Sequence, residues 1–282
     1  MYKTYPAPSK SEFPAVPVDF SLARLADAEW IAFERNLEKR DLLLGRASGG
    51  QMGARHIRAT GQGYREGWPA EGASPLRFLY ILEGWLTIGL EKPVRLERGD
   101  AISQAAIDTD AEVEWAKDLE LVEIVAPDFG ASPTATAPLL RDVVSGKVAT
   151  TGDGVIVREN PSAYALGGLR PFMSYLDLGL TDATERRMHV QAIRVTGTPL
   201  GGTGWHVHSM SQLFYVTDGW VDIAVDGQGI IHMVTGDAMC IGNGLRHNVF
   251  QFSSDYALIE LCLPTEYSTV KTEAPEEIDV PA

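Results

Sequence analysis

The feature that most constrains this chain is that it says the same thing twice. LYILEGWLTI at 79–88 returns as FYVTDGWVDI at 214–223, RGDAI at 98–102 as TGDAM at 235–239, and ELVEIVAP at 120–127 as ALIELCLP at 257–264. HIRAT at 56–60 returns as AIRVT at 192–196, and the pair Gly67-Trp68 as Gly204-Trp205. Five matches in one order, at a nearly constant spacing of about 136 residues, mean that one folding unit occurs twice. Each copy consists of short β-branched or aromatic runs broken by turn residues, Asp218-Gly219 and Asp226-Gly227 among them. That spacing predicts an all-β sandwich or barrel in each half.

The second copy adds chemistry to this frame. His206 and His208 follow the glycine-rich run GTPLGGTG, Gln212 lies four residues on, and His247 lies further downstream. Side chains on a strand alternate between faces, so His206, His208 and Gln212 point the same way if the stretch is extended. Converging imidazoles suit zinc, copper, iron or nickel. His56, His189 and His232 lack such company and read as structural histidines.

The segments GWHVHSMSQLFYVTDGW at 204–220 and GDAMCIGNGLRHNVF at 236–250 resemble the two motifs of the cupin superfamily. His206, His208 and Gly219 match the first motif; Gly236, Gly244 and His247 match the second. Gln212 stands where the family usually has glutamate, and Gly242 where it usually has proline. With the repeat, the resemblance is to a two-domain cupin and covers about residues 50 to 265. It implies two double-stranded β-helix (jelly-roll) barrels, with His206, His208 and His247 holding one divalent transition metal per chain, Fe(II) first and Zn, Ni or Mn next. Gln212 is either a ligand or a group orienting bound water or substrate; the sequence leaves both open. Trp205, Tyr215, Met239, Arg246 and Phe250 are candidates to line the substrate site.

The first copy keeps no imidazole in these places: alignment sets Pro69, Glu71, Arg77 and Asp110 opposite His206, His208, Gln212 and His247. It reads as a degenerate barrel kept for folding and assembly. The expected organisation is an N-terminal arm and helix over 1–45, the degenerate barrel over 46–130, a linker over 131–153, the metal-binding barrel over 154–265 and an acidic tail over 266–282. Ser21 reads as an N-cap, with a helix from Leu22 to about Lys39 presenting Leu22, Leu25, Trp30, Phe33 and Leu37. The tail reads as loosely docked.

A net charge of −14 with no basic patch argues against nucleic acid and anionic membranes as partners. Two cysteines, Cys240 and Cys262, give no disulfide framework, and no signal peptide or membrane span is evident, so a cytoplasmic protein, expected to be a homodimer, follows. An amide at 212 cancels no charge on a divalent ion, so the site should favour a small anionic phenolic or enolic substrate that chelates. The leading expectation is a metal-dependent dioxygenase. The alternatives are a non-oxidative metal-dependent isomerase, cyclase or hydrolase, and a non-enzymatic small-molecule-binding cupin.

Overall fold

The computed structural model describes residues 8–11, 15–68, 76–89, 93–104, 112–126, 149–151, 154–166, 168, 170–184, 186–197 and 202–278. The chain is all-β as expected, and among the described residues its strands form sheets of seven, four, eight and five strands. One large and one small sheet enclose each barrel. In the second barrel the large sheet centres on Ser211–Asp218, Ala257–Leu263 and His189–Val195, and the small sheet carries His206–His208 and His247–Phe252. Leu76–Glu83 and Glu120–Ala126 are the corresponding central strands of the first barrel.

The two large sheets pack against each other, which buries their strands on both faces. Along Ser211–Asp218, Leu213 and Tyr215 face the other barrel, where they meet a core containing Phe78, Tyr80, Val122 and Ile124. Phe214 and Val216 face the opposite way, into the interior of their own barrel, with Met239, Ile241 and Leu258. Period-two alternation therefore serves two cores at once. The all-apolar look of ALIELCL follows, since strands covered on both sides lose the polar half of the pattern.

The region 22–39 is not a helix. Ser21–Ala23 is a strand at the edge of the second barrel's large sheet, paired with Ala238–Ile241. Ile31–Glu34 and Leu37–Asp41 form a hairpin that extends the first barrel's large sheet. The apolar residues that fit a helical stripe are in fact shared among three surfaces. Leu22 packs on the second barrel's interior core, Trp30 meets the ring of His56 edge-on at 5.0 Å, and Phe33 and Leu37 join the first barrel's core. Tertiary demand overrides a local propensity worth only tenths of a kcal/mol per residue, on the order of 0.5.

The barrels also exchange strands, which moves the expected boundaries. The N-terminal arm contributes its edge strand to the distant barrel, while Gly154–Val157 pairs with Ala101–Gln104 in the first. The expected linker is described only at Ala149–Thr151, which is itself a strand paired with Gly154–Val157; the rest lies outside the described residues. Gly242 gains its reason here. A Cβ at that position would come within 2.1 Å of the Val18 carbonyl of the arm, so glycine lets the arm lie against the motif.

Among the described residues, apolar side chains fill the first barrel's interior. Leu79, Ile81, Leu86, Ile102, Leu121, Trp68 and Trp115 form its core. Arg77, opposite Gln212 in the repeat, is ion-paired at 3.1 Å with Glu123, which Arg55 and the Trp68 indole N–H (3.0 Å) also engage. Pro69, Glu71 and Asp110 lie outside the described residues. A buried ion pair broken from one side leaves uncompensated charge, so Glu123→Leu should cost about 3–5 kcal/mol in chemical denaturation. Metal analysis should give one transition-metal ion per chain in both parent and refolded variant, and two would contradict the filled first barrel.

Candidate metal centre

His206 and His208 lie on one short strand, and register places His206 beside His247 on the next. All three are buried, at 3, 5 and 2% exposure, with ring centroids 4.4 to 5.3 Å apart. One nitrogen from each falls within 4.8 Å of the others. The outer nitrogens are occupied. His206 Nδ1–H donates to the Gly204 carbonyl at 2.6 Å, His247 Nδ1–H to the Leu245 carbonyl at 3.0 Å, and His208 Nδ1 bonds the Thr269 hydroxyl at 2.8 Å. The two carbonyls fix the tautomers of His206 and His247 with Nε2 unprotonated, and the Thr269 hydroxyl holds the His208 ring so that its Nε2 can serve as the third ligand atom.

Thr269 comes from the acidic tail, which is firmly docked at Thr269–Lys271. Thr269–Lys271 is a strand paired along the whole of His206–His208, and Tyr267 sets its ring edge-on to His208 at 5.4 Å. Composition gave no sign of this, because the tail's strand is held by backbone pairing and one hydroxyl rather than by an apolar pattern.

Gln212 enters the same interior from the facing sheet, on the side of its strand that carries Phe214 and Val216. Its Nε2 donates to Glu260 at 2.9 Å, while its Oε1 is buried and has no hydrogen-bond partner. A buried amide oxygen without a partner costs on the order of 1–3 kcal/mol. Three imidazoles with nitrogens within 4.8 Å of one another fit a divalent transition metal, and the orphan carbonyl oxygen of Gln212 is a further neutral donor on the inward face of the opposite sheet. The carboxylate missing at 212 thus stands one strand away at 260, where the sequence reading did not look. Glu260 also accepts from Gln191 Nε2 at 2.6 Å and from the Cys262 thiol.

Arg170 is the other residue the sequence reading missed, for it precedes the repeat's recognisable motifs. Its Nη2 is 3.4 Å from His206 Nε2, its backbone N–H donates to the Tyr175 hydroxyl, and it has no carboxylate partner among the described residues. Of the proposed lining residues, Met239 lies in the interior core. Tyr215 points the other way, its hydroxyl 3.2 Å from His56 Nδ1 between the barrels, so it cannot line this site. Arg246 is held by Asp226 at 2.9 Å and by the Glu273 carbonyl at 2.9 Å, a structural clamp for the tail. Trp205 and Phe250 are half-buried, outside the interior cluster. Cys240 faces the inter-barrel core, where burial pushes its thiol up to about 11, and Cys262 is the cysteine that faces the interior.

Residues 194–262 match the family model described as Cupin domain, Cupin_2. Over its full length the chain is similar in fold to several solved structures. A Pseudomonas aeruginosa protein, provisionally named as glyoxylate-induced, is 13% identical, covers 97% of each chain and has a TM-score of 0.61. Protein Ylba of E. coli is 13% identical with a TM-score of 0.59, covering 91% of this chain and 95% of its own. Bacillus subtilis oxalate decarboxylase, whose structure concerns its Mn(II) centres, is 12% identical with a TM-score of 0.55, covering 93% of this chain and 81% of that one. At such identities the likeness establishes the fold. No curated protein matches the sequence. Residues 194–262 thus form a cupin domain, and the whole chain has the two-barrel fold of these structures, its second barrel carrying a buried three-histidine group that can hold a metal ion.

Burial, with the neighbouring imidazole of His247 second, pushes His206 down to about 3; burial pushes His247 down to about 4 and His208 well below its ordinary value. All three are neutral at pH 7 and ready to ligate. Because the folded values lie below the ordinary 6.5, the unfolded chain takes up more protons as pH falls, so the metal-free protein should lose stability from pH 6.5 towards about 4. A His206→Gln variant should show a shallower decline in denaturation midpoint across that window. Replacing any of the three histidines by Ala should abolish tight metal binding while circular dichroism stays that of a β-protein.

Proposed function

We propose that this protein is a metal-dependent enzyme acting on a small carboxylated phenolic or enolic anion, and that its reaction is dioxygenation. The observation that carries the substrate class is Arg170. Its guanidinium rests against His206 Nε2, the same lone pair an ion would take. Occupying that nitrogen deprives Arg170 of its acceptor and leaves a half-buried cation beside the centre, which a substrate carboxylate would satisfy.

His206, His208 and His247 would hold the ion through Nε2, with Gln212 Oε1 as a fourth donor. When bound, a divalent transition metal supplies Lewis-acid polarisation of a chelating oxygen and, if redox-active, electrons for dioxygen chemistry. The protein's own groups do the rest. Arg170 fixes the substrate's acid group, the Tyr175 and Tyr267 hydroxyls stand close enough to Arg170 to share that load, and Phe214, Met239 and Leu258 keep bulk water from the interior. Burial raises both tyrosines, Tyr175 to about 12, so each remains a hydroxyl donor rather than a competing phenolate. An all-neutral donor set would leave the charge of a bound divalent ion uncancelled, which supports an anionic chelating substrate.

A non-oxidative reading draws on a specific neighbour, since oxalate decarboxylase shares the fold, is named for its action on a dicarboxylate and has Mn(II) centres. Oxygen uptake separates the two. Purified metallated protein is given phenolic and enolic acids, each beside its methyl ester. Oxygen consumption with the acid, much weaker with the ester, is the expected result; turnover of the acid without oxygen consumption would select the non-oxidative reaction. Arg170→Gln should raise KM for the acid by about 10- to 100-fold, the equivalent of one charge-assisted bond of about 1.5–3 kcal/mol, and leave the weak turnover of the ester unchanged.

A further inference from the structure

Gln212 has two chemically different ends, and only its oxygen can bind a cation. Something must decide which end faces the histidines. Rotation about its last bond exchanges them at almost no steric cost, so the choice falls to hydrogen bonding. The deciding partner is Glu260, 6% exposed, on the adjacent strand. Gln212 Nε2 meets its Oε1 at 2.9 Å, Gln191 Nε2 meets its Oε2 at 2.6 Å, and the Cys262 thiol is a third donor. Three donors converge on a group that accepts.

The consequence runs along a chain of side chains. With its nitrogen committed to Glu260, Gln191 turns Oε1 to His189 Nε2 at 3.2 Å, and His189 Nδ1 in turn meets the Thr181 hydroxyl at 2.8 Å. Every donor in the series has an acceptor. In the other direction the polarity ends at Gln212 Oε1, which is buried and partnerless. A second observation comes from the first barrel, where the repeat sets Arg77 and Glu123 in the places of Gln212 and Glu260. There the carboxylate meets a guanidinium at 3.1 Å, a group that is a donor at every position and carries no oxygen. The same acidic position thus holds a donor in both barrels, and only a carboxamide has an oxygen left over.

We propose that Glu260 is a positioning residue for the metal centre: by accepting the Gln212 N–H it turns the amide oxygen toward His206, His208 and His247 and makes Gln212 a ligand. The inference rests on the three-histidine group being a metal site. It predicts that the two residues can exchange chemistry. In Glu260→Gln, two carboxamides compete for one amide oxygen, and Gln212 is free to present its NH2 to the ion. In Gln212→Glu, both ends are oxygens, so orientation ceases to matter, but two carboxylates abut. In the exchanged pair, Gln212→Glu with Glu260→Gln, the amide now at position 260 donates to the carboxylate now at position 212 and accepts from Gln191, and the network closes again.

The test is a cycle of the four full-length proteins with Zn(II) or Mn(II) alone, affinities being read by chelator competition and the ligand field by Mn(II) electron paramagnetic resonance. Glu260→Gln is expected to weaken metal binding by about 10- to 100-fold in the parent, the range for a residue that orients a ligand, and to leave binding equal or tighter in the Gln212→Glu background. The Mn(II) spectrum should change in the single Glu260→Gln variant. An equal loss in both backgrounds, or no loss in either, overturns the proposal, since a merely structural Glu260 would act alike in both. Should Glu260→Gln fail to fold, a structure of the zinc-loaded parent decides: a Gln212 terminal atom at a ligating distance of about 2.0–2.2 Å supports it, and one turned out of reach overturns it. A parent that binds no metal overturns this inference and the functional reading together, whereas a metal-binding parent indifferent to Glu260 overturns this inference alone.

Discussion

The packing of one large sheet on the other is the constraint from which the rest of this molecule follows. Once Phe78, Tyr80, Val122 and Ile124 are pressed against Leu213, Tyr215, Ile259 and Leu261, every central strand is covered on both faces. Any polar residue on the inward face is then sealed from water and must find a partner inside the barrel. The carboxylates of Glu123 and Glu260 are the clearest instances, 0 and 6% exposed in otherwise apolar surroundings. Each is answered by donors from neighbouring strands.

How it is answered separates the two halves. In the first barrel Arg77, Arg55 and Trp68 surround the carboxylate, and indoles and branched side chains fill what remains. The result is a solid core. In the second, the donors are carboxamides, shorter and uncharged, and the histidine strand stands opposite them. A carboxyl group answered by guanidinium is replaced by one answered by amides, and the interior beside it holds three imidazoles instead of indoles and branched side chains. Duplication supplied two copies of one scaffold, and the divergence lies in which side chains answer the same buried acid.

The second barrel also depends on segments from outside its own repeat. The arm's edge strand covers Ala238–Ile241, the tail's strand covers His206–His208 and bonds His208 through Thr269, and Arg170 arrives from the segment before the first matched strand. Covering exposed edges is a general need of β-sheets. Here the cover of the histidine strand also supplies the hydroxyl that holds the His208 ring, so the closing of an edge and the orienting of an imidazole are one event.

By itself the sequence determined the duplication, the all-β class and the three histidines, because these rest on local and periodic signals: a repeat at constant spacing, turn residues, and alternation that sets His206 and His208 on one face. It also marked Gln212 as the unusual member. What it could not determine was anything decided by a partner far along the chain. Leu22, Trp30 and Phe33 satisfy a helical period as well as they satisfy three separate cores, and only packing chooses between them. Tyr215 looks like a lining residue until register turns it toward His56, and Arg246 like a substrate ligand until Asp226 takes it. Glu260 sits in an apolar run whose meaning appears only when Gln212 and Gln191 are brought beside it from strands 48 and 69 residues away. The sequence chose the histidines, and tertiary structure chose their neighbours, because a hydrogen bond between distant strands leaves no period in the chain that makes it.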